Sequence, residues 1–480
     1  MQISNNNTFV LFGGTGDLAY RKIFPALYNL NSLGVLPDDY KIIGIGRRDY
    51  TTDQFLEIIK DWVKEFSRID YSEEKFLNLS KKITYFKLDM RDVMAYESLQ
   101  KFYQSNGIDD NIIYYYAVAP ELFRYITKGL TVIHERFSNN KVIVEKPFGK
   151  NLEDAEKLNN ELSDYFKKEN IYRIDHYLGK EMIMNILTIR FKNTIFKGVW
   201  NKNFIDNIQI NAFEKVGVGS RGGYYDLSGA IKDMVQNHLI QILTIIAMEE
   251  PKDETSSSIH KEQIKVLDAF EEVKPDEIEK YMIKGQYIGY LNEDKVDPNS
   301  KTETYAALKF KINNERWQGV PFYIRTGKML GKRESEVRIQ FKSPDGVQKG
   351  NVLLIRIQPD EGIVLKLYCK RPGTTNQVEK VSMNYSSSDI LENIINTPEA
   401  YERLIQACRL GQKSLFTAWE QISKSWKYIN KMVKLYNENN CKIYPYEVGS
   451  FGPNEAKMIL EQGCEWIIED ESYDDITLKH

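Results

Sequence analysis

The chain of 480 residues has few cysteines, and their spacing predicts neither a metal site nor a disulfide framework. The four cysteines are Cys369, Cys408, Cys441 and Cys464, and none forms a CxxC pair or has zinc-ligand spacing. Disulfide frameworks are typical of short, cysteine-rich secreted chains, so this usage predicts a reducing compartment. We therefore expect a protein without a bound metal.

Long apolar segments are also missing. Residues 1–7 are polar and lack the apolar core of a signal peptide. The longest strongly apolar run, at 239–248, contains Gln241 and is too short to cross a bilayer. These features predict a cytoplasmic protein with no membrane partner.

Charge of one sign is not in excess either. The chain has 65 Lys and Arg against 68 Asp and Glu, which gives a formal net charge of −3. This balance argues against a nucleic-acid partner bound by bulk charge, but it permits a local basic pocket for a small anion. The length predicts two or three domains of roughly 150 residues each, and the 42% of hydrophobic residues is ordinary for globular proteins.

The first third of the chain alternates short apolar runs with helical patterns. Strands are predicted at 8–12, 41–45, 84–88, 111–118 and 141–145, and helices at 53–66, 92–104 and 121–137. Alternating strands and helices predict parallel βαβ units and an α/β domain of the Rossmann type, which we assign to residues 1–175. Ligands of such sheets bind at the carboxyl ends of the strands.

A glycine-rich turn follows the first predicted strand. Gly13, Gly16 and Ala19 form the pattern G-x-x-G-x-x-A at the start of a helical pattern. Without a Cβ at the turn, backbone amides can approach a pyrophosphate, and the helix N-terminus adds unpaired N–H donors. Taken alone, the motif is equally consistent with a structural turn.

Two arginines, Arg47 and Arg48, end the second predicted strand. NAD-binding folds often place a carboxylate there to hold the ribose 2′-hydroxyl, whereas a 2′-phosphate is better served by arginine. The pair therefore favours NADP, with NAD as a second acceptor. A solvated basic turn is the alternative, because Asp49 could pair with either arginine.

Beyond residue 181 the pattern changes to that of an α+β domain with a large, mostly antiparallel sheet and helices, which we assign to residues 176–480. Strands are predicted within 198–213 and at 305–312, 321–326, 336–341, 352–358 and 363–369. Helices are predicted at 229–239, 261–272, 276–288, 397–408 and 414–438, and a loop at 255–258.

The junction of the two patterns, at 173–181, crowds charged and polar side chains together. Because buried charges must be paired, such a segment is either a binding site or a solvated loop. Further on, His238 falls near the apolar face of the helix at 229–239, where periodicity alone favours a core histidine. Asp233 lies five residues before it, and at about 100° per residue the two side chains should diverge by roughly 140°. They would then line two parts of one cleft.

Several motifs, taken in chain order, closely resemble the signature sequences of the glucose-6-phosphate dehydrogenase family. They cover nearly the whole chain, at 13–19, 145–149, 173–181, 221–226, 233–238, 320–328 and 449–453. The resemblance implies oxidation of D-glucose 6-phosphate at C1, with NADP as hydride acceptor, to 6-phospho-D-glucono-1,5-lactone. This is the first step of the oxidative pentose phosphate pathway. Family members associate as homodimers or homotetramers through the sheet domain.

The resemblance also implies roles for individual residues. His238 matches the general base and Asp175 its carboxylate partner, while Pro147 matches a proline that can adopt a cis bond. The phosphate-binding positions are His176, Tyr177, Lys180 and Arg333. Positions that hold the sugar, or lie between sugar and cofactor, are Lys22, Lys146, Glu214, Asp233 and Lys328. Cofactor-binding positions are Gly13, Gly14, Thr15, Gly16, Asp17, Leu18, Arg47, Arg48 and Lys146.

Two other interpretations remain open. A related sugar oxidoreductase acting on an unphosphorylated substrate would not need Lys180, Lys328 and Arg333 together. An NADP-binding sensor without catalysis would not need both Asp175 and His238. Activity that requires the phosphate of the sugar would exclude the first of these alternatives. Any turnover of the substrate would exclude the second.

Overall fold

The computed structural model describes residues 7–108, 111–133, 139–146, 148–149, 151–346, 349–386 and 398–467. The chain divides into two compact units. The first unit comprises Met1–Glu181, Pro251–Glu262 and Ile395–Trp426, and the second comprises Met182–Glu250, Gln263–Ile394 and Lys427–His480. The predicted domain division after residue 175 remains a prediction. Pro147 and the part of the predicted helix beyond residue 133 lie outside the described residues.

A six-stranded parallel sheet forms the centre of the first unit. Its strands are β1 (Thr8–Phe12), β2 (Lys41–Gly46), β3 (Ile83–Lys87), β4 (Ile112–Tyr116), β5 (Lys141–Val144) and β6 (Ile171–Arg173), in the order β3-β2-β1-β4-β5-β6. Every neighbouring pair is parallel, which confirms the predicted doubly wound α/β domain. Strand β6 was not predicted, because three residues are too few to show a period.

Helices lie between the strands of the parallel sheet, as predicted. The α-helices of the described residues are α1 (Phe24–Ser32), α2 (Thr52–Phe66), α3 (Glu73–Ser80), α4 (Tyr96–Ser105), α5 (Phe123–Leu130), α6 (Leu152–Ser163), α7 (Glu181–Lys192), α8 (Thr194–Val199), α9 (Gly222–Ala230), α10 (Ile240–Ala247), α11 (Ser256–Asp268), α12 (Ala400–Arg409) and α13 (Trp419–Glu438). Helix α2 shows why such boundaries are readable: Thr51 and Gln54 form a reciprocal capping box at its start. None of these helices is long and apolar enough to span a bilayer.

A late piece of chain completes the first unit. The Glu402 carboxylate in α12 is fully buried and accepts hydrogen bonds from Arg68 Nε at 2.8 Å and Arg68 Nη2 at 2.9 Å. It also accepts one from Asn29 Nδ2 at 2.9 Å. Lys141 Nζ in β5 donates to the backbone carbonyl of Cys408 at 2.9 Å. Buried charges are tolerated when paired in this way, so α12 is an integral part of the unit.

A nine-stranded sheet dominates the second unit. Its strands are β7 (Ile205–Phe213), β8 (Met282–Tyr287), β9 (Tyr305–Lys311), β10 (Pro321–Gly327), β11 (Glu334–Phe341), β12 (Val352–Gln358), β13 (Gly362–Lys370), β14 (Val378–Ser386) and β15 (Ile443–Tyr446). Their order is β14-β13-β12-β11-β7-β10-β9-β8-β15. Only the pairs β7–β10 and β8–β15 are parallel, so the predicted large and mostly antiparallel sheet is confirmed.

Two local predictions were wrong. The segment 276–288 forms a 3₁₀ turn, Pro275–Lys280, followed by strand β8, because the apolar spacing of a short run fits either period and pairing with β9 decides. The predicted loop at 255–258 instead starts α11 at Ser256. Thr255 Oγ1 accepts a hydrogen bond from the Ser258 N–H at 3.3 Å, so these hydroxyl residues serve the helix N-terminus.

Candidate functional site

The glycine turn after β1 is held against the end of β2. The amides of Gly13 and Gly14 both donate to the Ile45 carbonyl, at 3.0 and 2.8 Å. Gly13 has a φ of +86°, and a Cβ placed on it would lie 2.3 Å from the Ala117 carbonyl oxygen. Only glycine meets both demands. The structure thus shows a tight glycine turn packed against the chain that follows β4 and against the end of β2. Binding of a dinucleotide pyrophosphate at this turn stays a prediction.

The remaining turn residues lead into a helix with unusual hydrogen bonding. Thr15, Gly16 and Asp17 complete the turn, and Leu18 precedes a π-helical segment, Ala19–Ile23, that runs into α1. Asp17 is exposed and pairs with Arg21 at 2.7 Å. Lys22 lies in the π-helical segment and pairs with Glu399 at 3.4 Å, both half exposed. Since π-helical segments often occur at functional sites, the position of Lys22 is notable.

Arg47 and Arg48 are exposed beyond the end of β2. Asp49 pairs with Lys87 at 2.9 Å rather than with either arginine, contrary to the pairing considered from the sequence. Arg48 Nη1 donates to the Tyr50 hydroxyl at 3.1 Å. Arg47 makes no ion pair with any described carboxylate, so its guanidinium is available to an anion beside the glycine turn.

The stretch after β6 combines structural and candidate residues. Its first residue, Arg173, is buried and donates to Asn159 Oδ1 at 2.6 Å, and its last, Glu181, pairs with Arg403 at 3.1 Å. Burial lowers the pKa of Arg173 to about 10. Between these anchors, Lys180 Nζ lies 4.2 Å from the ring centroid of Tyr177. A segment fixed at both ends can present the residues between them in one geometry.

Asp175 is the buried carboxylate of this stretch, with 4% exposure. Its Oδ1 accepts a hydrogen bond from the Tyr177 N–H at 2.9 Å. Burial raises the pKa of Asp175, and the nearby cationic side chains of His176 and Lys146 oppose that rise, together with hydrogen bonds from the Tyr177 and Leu178 amides. The carboxylate thus lies in an electropositive surrounding at the carboxyl end of the sheet.

Lys146 follows β5 and is one of the cations that act on Asp175. Its neighbour Glu145 accepts a hydrogen bond from the buried Tyr115 hydroxyl at 2.5 Å. Burial raises the pKa of Glu145, while hydrogen bonds from Tyr115 and Tyr401 act in the opposite direction. The Glu145 side chain therefore anchors the backbone next to Lys146.

In the second unit, Glu214 and Lys328 form an ion pair. Glu214 directly follows β7 and Lys328 directly follows β10, and Lys328 Nζ donates to Glu214 Oε2. The backbone is fixed as well, because the Lys328 carbonyl accepts from the Tyr446 hydroxyl at 2.8 Å. Arg333 is exposed immediately before β11 and makes no ion pair with a described carboxylate. These charges provide donors and acceptors for a polar, anionic ligand.

Sequence reasoning missed Tyr225 as the residue that joins this group. Tyr225 is 3% exposed, and Lys328 Nζ lies 5.1 Å from its ring centroid. The pKa of Tyr225 is raised well above its usual value, first by burial and then by carboxylates that include Asp233 and Glu214. Tyr225 belongs to a segment that carried the family resemblance, so the signal was present but no role was assigned.

Asp233 and His238 lie in a second π-helical segment, Ile231–Leu239, between α9 and α10. Hydrogen bonds there run to the fifth preceding residue, as from the Ile240 N–H to the Val235 carbonyl. Residues five apart are thus about one turn apart. The divergence expected for an α-helix was wrong, because the helix type differs. His238 is fully buried, and Asp233 is half-buried.

The first unit contains a glycine turn, an exposed arginine and a buried carboxylate after the strands of its sheet. The second offers a buried histidine and a cluster of charged and polar groups around Tyr225. Residues of these types occur in sites that bind nicotinamide dinucleotides and in sites of acid–base catalysis. Among the described residues, no group of three or more His, Cys, Asp or Glu is placed to hold a metal ion.

Comparison with known proteins covers both units. The family model for the NAD binding domain of glucose-6-phosphate dehydrogenase matches residues 10–185, and that for the C-terminal domain matches residues 187–467. The glucose-6-phosphate 1-dehydrogenase of Chlamydia pneumoniae is 37% identical, over 95% of this chain and 95% of its own. That of Bacillus subtilis (strain 168) is 36% identical, over 95% of this chain and 97% of its own.

A solved structure is similar over the same length. A glucose-6-phosphate dehydrogenase in complex with its substrate glucose 6-phosphate matches with a TM-score of 0.87 and 34% identity. The match covers 95% of this chain and 96% of that one.

Proposed function

The chain belongs to the glucose-6-phosphate dehydrogenase family, and from that premise we propose that it oxidises D-glucose 6-phosphate at C1 and transfers the hydride to NADP. The product is 6-phospho-D-glucono-1,5-lactone, and the reaction is the first step of the oxidative pentose phosphate pathway. The match of both family models, which together cover residues 10–185 and 187–467, is the observation that carries the proposal.

The chemical step needs a base for the proton of the C1 hydroxyl. We assign this role to His238, because a histidine with an ordinary pKa of ~6.5 is an effective base near neutral pH. Asp175 is its carboxylate partner, which orients the imidazole and stabilises the imidazolium as it forms. Burial of both side chains favours the assignment, since charge–charge interactions are stronger away from water.

The substrate phosphate is a dianion and needs cations and hydrogen-bond donors. His176, Tyr177, Lys180 and Arg333 fill this role in the proposal. The contact between Lys180 and the Tyr177 ring supports it, because it holds a long, flexible cation in place beforehand. The sugar hydroxyls are bound by Glu214, Asp233, Lys328, Lys146 and Lys22. The Glu214–Lys328 ion pair supports this, as it presents an acceptor and a donor together.

The cofactor supplies the hydride acceptor when it is bound. Gly13, Gly14, Thr15, Gly16, Asp17 and Leu18 form the turn that would receive the pyrophosphate, and Lys146 lies at the neighbouring end of β5. We propose NADP as the main acceptor and NAD as a second one. Arg47 and Arg48 would hold the 2′-phosphate, and the engagement of Asp49 with Lys87 supports this because Asp49 then does not compete for them.

We also propose that the protein is a homodimer or homotetramer that associates through the nine-stranded sheet. Strand β14 is an edge strand, and Val378, Met383 and Tyr385 on it are 49%, 64% and 41% exposed. Exposed apolar side chains on a long sheet edge are typical of a surface that pairs with another chain. Light scattering tests this, and a monomer at micromolar concentration would contradict it.

The central experiment follows absorbance of reduced nicotinamide with purified protein, glucose 6-phosphate and NADP. For His238→Ala we expect turnover to fall ~10²-fold or more, with little change in glucose 6-phosphate affinity. His260→Gln at pH 7.5 is the control, because His260 is outside the proposed site, and it should retain turnover.

Parallel assays with plain glucose and with NAD distinguish the alternatives. Equal rates with glucose and its phosphate would favour an oxidoreductase of unphosphorylated sugars. No reduction with any pair, from folded protein that still binds NADP, would favour a non-catalytic sensor. Near-normal turnover of His238→Ala would remove His238 from the mechanism.

A further inference from the structure

The second unit contains a cavity of about 660 Å³ whose walls carry four lysines. We call it the lysine cavity, and it is lined by Lys232, Lys284, Lys301 and Lys442. We propose that the lysine cavity binds a small polyanion that carries two or more phosphate groups. The lysine cavity shares no residue with the proposed substrate or cofactor positions, so this inference goes beyond the proposed function.

Most of the positive charge of the lysine cavity is not neutralised by the protein. Lys232, Lys301 and Lys442 make no salt bridge to any carboxylate within the described residues. Lys284 is 5% exposed, with its Nζ 4.0 Å from Glu303 Oε2 and 5.0 Å from the Tyr436 ring centroid. The lining thus has four lysines against one carboxylate, an excess of positive charge that an anionic ligand can compensate.

Glu303 is the one carboxylate that lines the lysine cavity, and it is already engaged. Its Oε1 accepts a hydrogen bond from the Ile231 N–H at 3.1 Å, at the start of the π-helical segment. Its Oε2 lies beside Lys284, and the residue is 9% exposed. The Glu303 carboxylate therefore balances the charge of Lys284 and satisfies the amide at the start of the π-helical segment. The other three lysines remain for a ligand.

The size of the lysine cavity and the uncharged polar residues in its walls indicate the class of ligand. Pockets for small molecules usually enclose about 300–1,000 Å³, a range that includes this one. Lysines bind phosphates as compact point charges, and several spaced lysines suit several phosphate groups better than one. Asn437, Asn440, Ser228 and Thr302 add hydrogen-bonding groups to the walls. A chain of phosphates, alone or attached to a nucleoside, has this chemistry.

Calorimetric titration of the full chain with inorganic tripolyphosphate tests the proposal. Saturating glucose 6-phosphate is present throughout, so that the proposed substrate-phosphate site is occupied. We expect saturable binding that weakens at least 10-fold in the double variant Lys301→Glu, Lys442→Glu, because each lost charged contact is worth about one order of magnitude. Both lysines are exposed, so the variant should fold. Lys427→Glu, an exposed lysine of α13 outside the lysine cavity, should bind within about 2-fold of the parent chain.

Three results would overturn the proposal. They are no saturable binding, undiminished binding by the double variant, and an equal loss in Lys427→Glu, which would indicate diffuse attraction to surface charge. Inorganic phosphate is expected to bind at least 10-fold more weakly than tripolyphosphate. Equal affinities would contradict a site for several phosphate groups. Adenosine triphosphate separates the two sources: binding tighter than that of tripolyphosphate and lost in the double variant would assign the ligand to nucleotides, and equal binding to the phosphate chain alone.

Discussion

The parallel sheet and the nine-stranded sheet gather their candidate residues in different ways. In the parallel sheet, candidates follow four strands, with Gly13 after β1, Arg47 after β2, Lys146 after β5 and the 173–181 stretch at the end of β6. All these strands point the same way, so their carboxyl ends meet at one edge without further conditions.

In the nine-stranded sheet, the candidate residues come together because two neighbouring strands, β7 and β10, are parallel. Strands β7 and β10 are parallel neighbours, with Gly327 opposite Phe213, while β11 is antiparallel to β7, with Glu334 opposite the same Phe213. The adjacent residues Glu214, Lys328 and Arg333 therefore come to one end of the sheet. In this sheet, the parallel pair β7–β10 thus places the candidate residues Glu214 and Lys328 at the same end.

The largest effect is expected from a substitution in the glycine turn of the parallel sheet. In Gly13→Ala, the strained φ costs ~1–3 kcal/mol and the clash with the Ala117 carbonyl a similar amount. We expect the urea midpoint to fall and NADP binding to be lost. Gly107→Ala is the matched control, because its φ is +58° but nothing lies within 4 Å of the added Cβ. Equal losses in both variants would show that the close approach at Gly13 is unimportant.

The next largest effect tests the candidate site of the nine-stranded sheet. In Lys328→Gln, Glu214 loses its cation and the sugar loses a charged donor, so KM for glucose 6-phosphate should rise ~10–100-fold, more than kcat falls. Lys311→Gln is the control: it removes the 2.9 Å pair with Glu461 at the opposite end of β9 and β10. In steady-state kinetics, we expect the change in KM in Lys328→Gln but not in Lys311→Gln. Equal changes in the two variants would contradict a substrate site at the Lys328 end of the sheet.

The smallest expected effect is a loss of stability in acid that originates in the first unit. His260 in the first unit hydrogen-bonds through Nε2 with the Phe416 carbonyl at 3.0 Å, and burial lowers the pKa of His260 to about 4. The unfolded chain takes up this proton near pH 6.5, the folded chain only near pH 4, so stability falls as pH drops through that window. The loss is at most ~3 kcal/mol.

His260→Gln should therefore flatten the dependence of the urea midpoint on pH between 6.5 and 4. Midpoints followed by fluorescence at pH 7, 5.5 and 4.5 check this for the parent chain and the variant. Identical slopes for the two proteins would exclude His260 as the source of acid sensitivity.

The sequence was most informative where local signals agree with the fold. The β1 turn, β2 with its two arginines and the capped helix α2 could all be predicted, because glycine, charge and capping signals lie within a few residues of each other. Strand β6 could not, since its three residues become a strand only through pairing with β5.

The candidate site of the second unit was predictable only through family resemblance. Periodicity places His238 on a buried helix face but does not reveal the π-helical hydrogen bonding that changes which residues share that face. Nor does any local pattern show that β7 and β10 are neighbours, because they are separated by two other strands in the chain.

The pairing of Arg68 with Glu402 has a consequence for how the protein is made. The two residues are 334 positions apart, so at about 5–20 residues per second the ribosome needs roughly 17–67 s between them. During that interval the nascent parallel sheet lacks α12, and Arg68, Asn29 and Lys141 lack the partners that α12 supplies. The first part of the chain to be synthesised is thus completed only after α12 has left the ribosome.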